Sequence, residues 1–129
     1  MVAAEFLKAG FSVLRPGQSA RYDLVIDTGK EFLRVQVKSS HCVGGYVRFK
    51  LYSQNGYYPK RPYTKEEIDL FAIYNFELDS IYILPVESKI TRLRIDETKN
   101  GQESGINWGR DYTFEKWLSA FVGPPTHRD

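Results

Sequence analysis

The sequence predicts an α/β fold in which helices pack on a mixed central sheet. Three observations carry this. Residues 21–52 alternate apolar and polar in three successive runs, as strands with one buried face do. Stretches with helical spacing stand before and after them. A short, almost wholly apolar run, "SIYILPV" (80–86), has the character of a strand covered on both faces.

Each element has its own justification. "VAAEFLKA" (2–9) reads as the end of a helix, and Gly10 suits the position just past it. "FSVLRP" (11–16) is a short strand or extended link stopped by Pro16-Gly17. In "RYDLVID" (21–27), Tyr22, Leu24 and Ile26 face one way, and Arg21, Asp23, Val25 and Asp27 the other. "DTGKE" supplies a turn. In "FLRVQVK" (32–38), Leu33, Val35 and Val37 share one face, while Phe32, Arg34, Gln36 and Lys38 share the other. "GGYVRFKLY" (44–52) starts in a Gly-Gly turn and reads as the third strand of an antiparallel meander, with Tyr46, Arg48, Lys50 and Tyr52 on a basic-aromatic face.

"SQNGYYPKRPY" (53–63) reads as a loop. Thr64 and Glu67 form a capping box, and the spacing of Ile68, Phe71, Ala72 and Leu78 predicts a helix over 65–78. "KITRLRI" (89–95) suggests another strand, and the polar, glycine-containing stretch 96–109 a loop. Phe114, Trp117, Leu118 and Phe121 give 113–122 the stripe of an amphipathic helix. No repeat or linker divides the chain, so a single domain of 129 residues is expected, with its core over about 2–86 and additions over 87–122.

Composition narrows the function classes. No run of eighteen apolar residues suggests a membrane span, and the N-terminus lacks the pattern of a secretory signal. One cysteine, Cys42, precludes an internal disulfide and fits a reducing, cytoplasmic setting. His41 and Cys42 are adjacent, but two ligands do not make a zinc site. The formal net charge is only +2, yet it is unevenly spread. Residues 28–65 hold eight Lys/Arg against Glu31 alone, whereas residues 66–129 hold seven basic and twelve acidic groups. Such polarity suits a face that meets phosphate, or charges that intermingle once folded.

A four-residue turn at 28–31 would set Asp27 opposite Phe32 and therefore Asp23 opposite Gln36. Opposed residues share a face, with Cβ atoms about 4.5–5.5 Å apart. Lys38, two residues on, would join them. A carboxylate and an amide oxygen are hard ligands suited to Mg²⁺, and the Val37 carbonyl would complete the protein's share. A nearby ammonium stabilises charge on a phosphate under attack. This trio fits metal-assisted phosphodiester hydrolysis. A plain surface ion pair between Asp23 and Lys38 is the alternative.

These residues also carry a resemblance. "RYDLVID…VQVKSS", with a strand acid followed by Gln-x-Lys on the next strand, resembles the PD-(D/E)xK nuclease superfamily. The flanking "AAEFLKAGFSVLRP", "YTKEEIDLFAIY" and "IYILPV" look like its group I intron-encoded homing endonuclease branch, across residues 3–86. The resemblance implies a restriction-endonuclease-like αβββαβ core with a mixed sheet. It implies Asp23, Gln36 and Lys38 as the catalytic set, with Mg²⁺ (or Mn²⁺ in its place) held by Asp23, Gln36 and Val37. Tyr22 stands where the motif has proline, which is not a ligand. Gln36 replaces the more usual Glu and removes a charge. Related resolvases carry a helix glutamate that would fall before residue 1. Glu5 differs from that position by six residues, roughly 240° around a helix.

Arg34, Arg48 and Lys50 are expected to contact double-stranded DNA, with a solvated sheet face as the alternative, and Lys60 and Arg61 to contact DNA or a neighbouring subunit. Cutting two strands requires two copies of the site, which implies a homodimer or homotetramer. Two other readings stay open: a DNA-binding module on the same fold with weakened catalysis, and a nuclease acting on four-way junctions.

Overall fold

The computed structural model describes residues 2–17, 20–53, 60–96, 100–102 and 104–122. Helix α1 (Val2–Lys8) leads into β1 (Ser12–Leu14), β2 (Leu24–Asp27) and β3 (Phe32–Ser39). Then come β4 (His41–Val43), β5 (Tyr46–Arg48), β6 (Tyr52–Ser53) and β7 (Arg61–Pro62). Strands β8 (Leu70–Asn75), β9 (Ser80–Pro85) and β10 (Arg92–Arg94) precede a 3₁₀ turn at Gly109–Asp111 and helix α2 (Phe114–Val122).

Five strands form the main sheet in the order β1-β2-β3-β8-β9. The β3–β8 pair is parallel and the other three pairs are antiparallel, so the sheet is mixed as expected. One face carries the helices: Phe6 of α1 meets Phe114 and Trp117 of α2 edge-on, with ring centroids 5.0 and 5.7 Å away, over Leu24, Ile26, Val35 and Ile83. The other face carries a second, three-stranded sheet, β10-β5-β4, whose Val47 and Leu93 pack on Phe71, Ile73 and Leu84. The molecule is layered as helices, sheet, sheet. Chain entry is sharp: α1 ends in a Schellman motif in which Gly10 (φ +96°) donates to Leu7 and Phe11 to Phe6.

Two expectations about elements are corrected. The third strand of the meander, 44–52, is not in the main sheet. Its alternation is right, with Val47 and Phe49 buried, but Gly44-Gly45 turns it back onto β4, with both φ positive. The three-stranded meander is instead β1-β2-β3, so the "short strand or link" at 11–16 supplies its first member.

The helix over 65–78 is also absent. Half of the capping box forms: Thr64 N–H donates to Glu67 Oε1 at 3.2 Å, whereas Glu67 N–H and Ile68 N–H both turn to Thr64 O, at 3.0 Å each. It goes no further, because Asp69 N–H bonds Arg34 O at 2.9 Å and Leu70–Asn75 then pairs along β3. A run buried on both faces of a sheet has apolar residues at every spacing, so helical spacing appears within it by default.

The loop expected at 53–63 is in part the β6–β7 hairpin. Tyr57 and Tyr58 lie outside the described residues. Strands β9 and β10 and helix α2 stand where 80–86, 89–95 and 113–122 predict them. The open edge of β9 is covered where Ile83 N–H donates to Tyr112 O at 2.8 Å.

Only Ser40 separates β3 of the main sheet from β4 of the small one. Its buried hydroxyl donates to Tyr74 O at 2.9 Å and accepts from Asn75 Nδ2 at 3.1 Å. Fully buried Asn75 also accepts Leu78 N–H at 2.9 Å and so closes the β8–β9 turn. Ser40 is thus structural.

Candidate active site

The β2–β3 register is the one the turn predicts: Asp27 faces Phe32 and Leu24 faces Val35. The turn is closed by Thr28 N–H on Glu31 O, and Asp27 Oδ1 accepts Gly29 N–H at 2.8 Å. Regular pairing stops at Leu24. Asp23 N–H reaches Val35 O at 2.9 Å, out of step with the ladder.

From there β3 continues without β2 beside it. The N–H and C=O of Val37 point to that vacated edge, because both groups of one strand residue point the same way. Asp23 Oδ2 accepts Val37 N–H at 2.9 Å, and Gln36 Nε2 lies 3.4 Å from Val37 O. A carboxylate, an amide and a carbonyl therefore converge at the edge of one strand. The carboxylate is exposed and, with Leu24 and Val37, borders a cavity of about 320 Å³ that Val2 and Ala3 of α1 also line.

Lys38 is placed differently from the expectation. Its Nζ donates to Tyr52 O at 3.1 Å and lies 5.0 Å from the centre of the Tyr63 ring. No ion pair joins it to Asp23. It borders a separate cleft of about 930 Å³ with His41, Arg48, Lys50 and Tyr52, on the side of the small sheet. Of the expected trio, two side chains meet through the Val37 backbone and the third stands apart. Asp23 leaves the strand alternation before it could share a face with Lys38.

The carbonyl and ring that hold Lys38 are fixed by residues the sequence did not single out. Arg21 is the hub. It donates to Glu67 Oε1 at 2.8 Å, to Ser53 Oγ and to the carbonyls of Arg61 and Pro62, and its guanidinium lies 3.9 Å from the Tyr63 ring centre. Burial alone would raise the Glu67 carboxyl. The hydrogen bond from Arg21, the Thr64 N–H and the Arg21 charge outweigh it, and Glu67 sits below the ordinary 4.5. The only signal in the sequence was the Thr64/Glu67 capping pair.

The expected DNA-contacting residues fall into two groups. Arg34 is held by structure: its backbone N–H and Nε both reach Asp69 Oδ2, at 2.8 and 3.1 Å, and its Nη atoms donate to the carbonyls of Glu66 and Lys65. Arg61 donates to Glu67 Oε2 at 2.9 Å. Arg48, Lys50 and Lys60 are exposed, and the ammonium of Lys60 lies 4.8 Å from the Tyr52 ring centre. Glu5 pairs with Lys8 at 3.3 Å and borders a different cavity, beside Ser80 and Glu115. Cys42 N–H donates to Glu77, and its thiol contacts Asn75. Among the described residues no group of three or more His, Cys, Asp or Glu side chains could hold a metal ion.

Comparison with known proteins fits this architecture. Residues 1–115 match the sequence model of the PD-(D/E)XK endonuclease family, and the chain belongs to that family. Its fold is similar to the solved structure of a bacterial homing endonuclease, I-Ssp6803I. The two are 27% identical, with a TM-score of 0.66, and the match covers 94% of this chain and 88% of that one. No curated protein sequence matches.

Proposed function

We propose that this chain is a metal-dependent endonuclease that hydrolyses DNA phosphodiester bonds at specific sites, in the manner of a homing enzyme. The supporting observation is the convergence of Asp23 and Gln36 on the backbone of Val37, where β2 has ended and the edge of β3 is open. Family membership and the likeness to a homing endonuclease over nearly the whole chain support the same reading.

The donor set suits a hard divalent cation. Asp23 Oδ, the Val37 carbonyl and the Gln36 amide oxygen, turned inward by rotation about its last bond, would hold Mg²⁺ or Mn²⁺. Such an ion lowers the pKa of a bound water and neutralises charge on the scissile phosphate. The chain's own residues supply the rest. Asp23, anchored on Val37 N–H, fixes the position of the negative charge. Lys38 brings a positive charge two residues beyond Gln36, held ready by Tyr52 O and the Tyr63 ring. A symmetric assembly of two or four copies would bring one such site to each DNA strand.

One observation favours a second reading, a DNA-binding module with weakened catalysis. The donor set has a single carboxylate, and Glu5 is engaged elsewhere. Incubation with plasmid DNA in Mg²⁺, in Mn²⁺ and in chelator decides between them. Cleavage in metal that vanishes in Asp23→Ala, with DNA affinity retained, is the expected result. Salt-sensitive binding with no nicking in either metal would establish the binder.

A further inference from the structure

The small sheet carries a feature that the chemistry at Val37 does not use. Its inner row, Cys42, Val47 and Leu93, packs against the main sheet. The neighbouring rows therefore face outward. In one of them His41 lies opposite Arg48, and Arg48 lies opposite Arg92. All three are exposed. Like charges directly opposite across strands destabilise a sheet. Among the described residues no carboxylate pairs with Arg48 or Arg92, whereas Arg21, Arg34 and Arg61 each have one.

What gathers the cations is a ring. The guanidinium carbons of Arg92, Arg94 and Arg48 lie 4.1, 5.0 and 5.9 Å from the centre of Tyr46. Arg94 is the anchor: its Nη1 donates to the Tyr46 hydroxyl at 3.1 Å and its Nε to Asp96 O at 2.8 Å. The positive field is felt by that hydroxyl, which sits below its ordinary 10.0. The Arg94 hydrogen bond is the main cause; burial opposes it, and the charges of Arg92, Arg94 and Arg48 add to it.

We infer that the row His41–Arg48–Arg92 is a seat for the phosphates of a DNA strand, away from the reaction centre. The inference rests on the endonuclease reading for its choice of polyanion. Adjacent guanidiniums with no carboxylate between them offer paired N–H donors that a phosphodiester satisfies. His41 and Arg48 also border the cleft that Lys38 and Lys50 line, so a strand seated there is led toward Lys38.

The test is the affinity for a short duplex of arbitrary sequence, measured in chelator over a salt series. Arg48→Ala and Arg92→Ala should each lower affinity severalfold and reduce the slope of log K against log salt by about 0.9. Arg92→Lys, which keeps the charge, should retain the slope. Tyr46→Leu, which removes the ring but no charge, should weaken binding. Lys116→Ala on α2, the control for charge loss, should change nothing. Melting temperatures confirm that each variant is folded.

Unchanged slopes in both alanine variants would overturn the seat, as would a loss of affinity without a change of slope. Plasmid cleavage in Mg²⁺ is scored separately. Wild-type protein that cleaves while the slopes stay unchanged leaves the enzyme and removes the seat. Protein that shows the expected slopes but never cleaves keeps the seat and removes the enzyme.

Discussion

The two halves of β3 differ although they belong to one strand. The first half, Phe32–Val35, pairs with β2, and its last residue already faces β8. There Arg34 is tied to Asp69 and two carbonyls. The second half, Gln36–Ser39, pairs with β8 alone and leaves Val37 facing Asp23. Arg34, Gln36 and Lys38 share a face and look alike in sequence. What separates Arg34 from Lys38 is the partner each meets, Asp69 and two carbonyls for the first and the Tyr52 carbonyl for the second, while the end of β2 opens the Val37 edge between them. Pairing satisfies the backbone, and where it stops, polar groups are left to meet something else.

The largest expected effect tests the second half. Asp23→Ala and Lys38→Ala should each reduce metal-dependent plasmid cleavage at least about a hundredfold, roughly 3 kcal/mol of barrier. Their melting temperatures should stay near wild type. Cleavage at the wild-type rate by either variant would remove the distinction between the halves.

Arg34→Ala should do the reverse. It should cost about 2 kcal/mol, by removing the guanidinium that pairs with Asp69 and donates to the Glu66 and Lys65 carbonyls, and lower the melting temperature by roughly 5–10 °C. Cleavage per folded molecule should be little changed. Loss of DNA affinity with full stability would return Arg34 to the DNA-contacting group.

A smaller effect, of opposite sign, comes from Gln36→Glu. A second carboxylate beside Asp23 should lower the Mg²⁺ concentration for half-maximal cleavage, on the order of tenfold (~1.4 kcal/mol). The same variant should melt at a lower temperature in chelator, because two like charges then crowd the Val37 edge. An unchanged Mg²⁺ requirement would separate Gln36 from the metal.

The smallest effect is in acid. Glu67 sits below 4.5 when folded, so its contribution to stability is full at neutral pH. That contribution fades as pH falls below the unfolded carboxyl value and through the lower folded one. Glu67→Gln should be slightly less stable at neutral pH and flatter in this window. Identical acid-unfolding curves would detach Glu67 from the hub that steadies Tyr52 and Lys38.

What was legible in the sequence was local. The turn chemistry of Asp27-Thr28-Gly29 sets a four-residue loop, and the alternation on either side then fixes a register that puts Leu24 opposite Val35. The Schellman end at Gly10 and the stripe of α2 are equally short-range. What was not legible depends on partners far along the chain. Nothing within 44–52 says that it stacks on the main sheet instead of joining it. Nothing within 65–78 says that β3 offers a parallel edge to Leu70–Asn75, where burial overrides the single turn begun at Thr64. The candidate site divides along the same line. The register carries β2 as far as Leu24 and so delivers Asp23 to the edge of β3 near Val37, whereas its slip out of the ladder and the withdrawal of Lys38 toward Tyr52 depend on contacts outside the hairpin.

The corner at Ser40 has a mechanical consequence. The polypeptide that bears Gln36 and Lys38 becomes, one residue later, the rail that holds His41 against Arg48, and two bonds to a single hydroxyl brace the bend. Under the proposed reading, the phosphate seat on the outer sheet and the Lys38 amine lie in series along one covalent thread, with the braced corner at Ser40 between them.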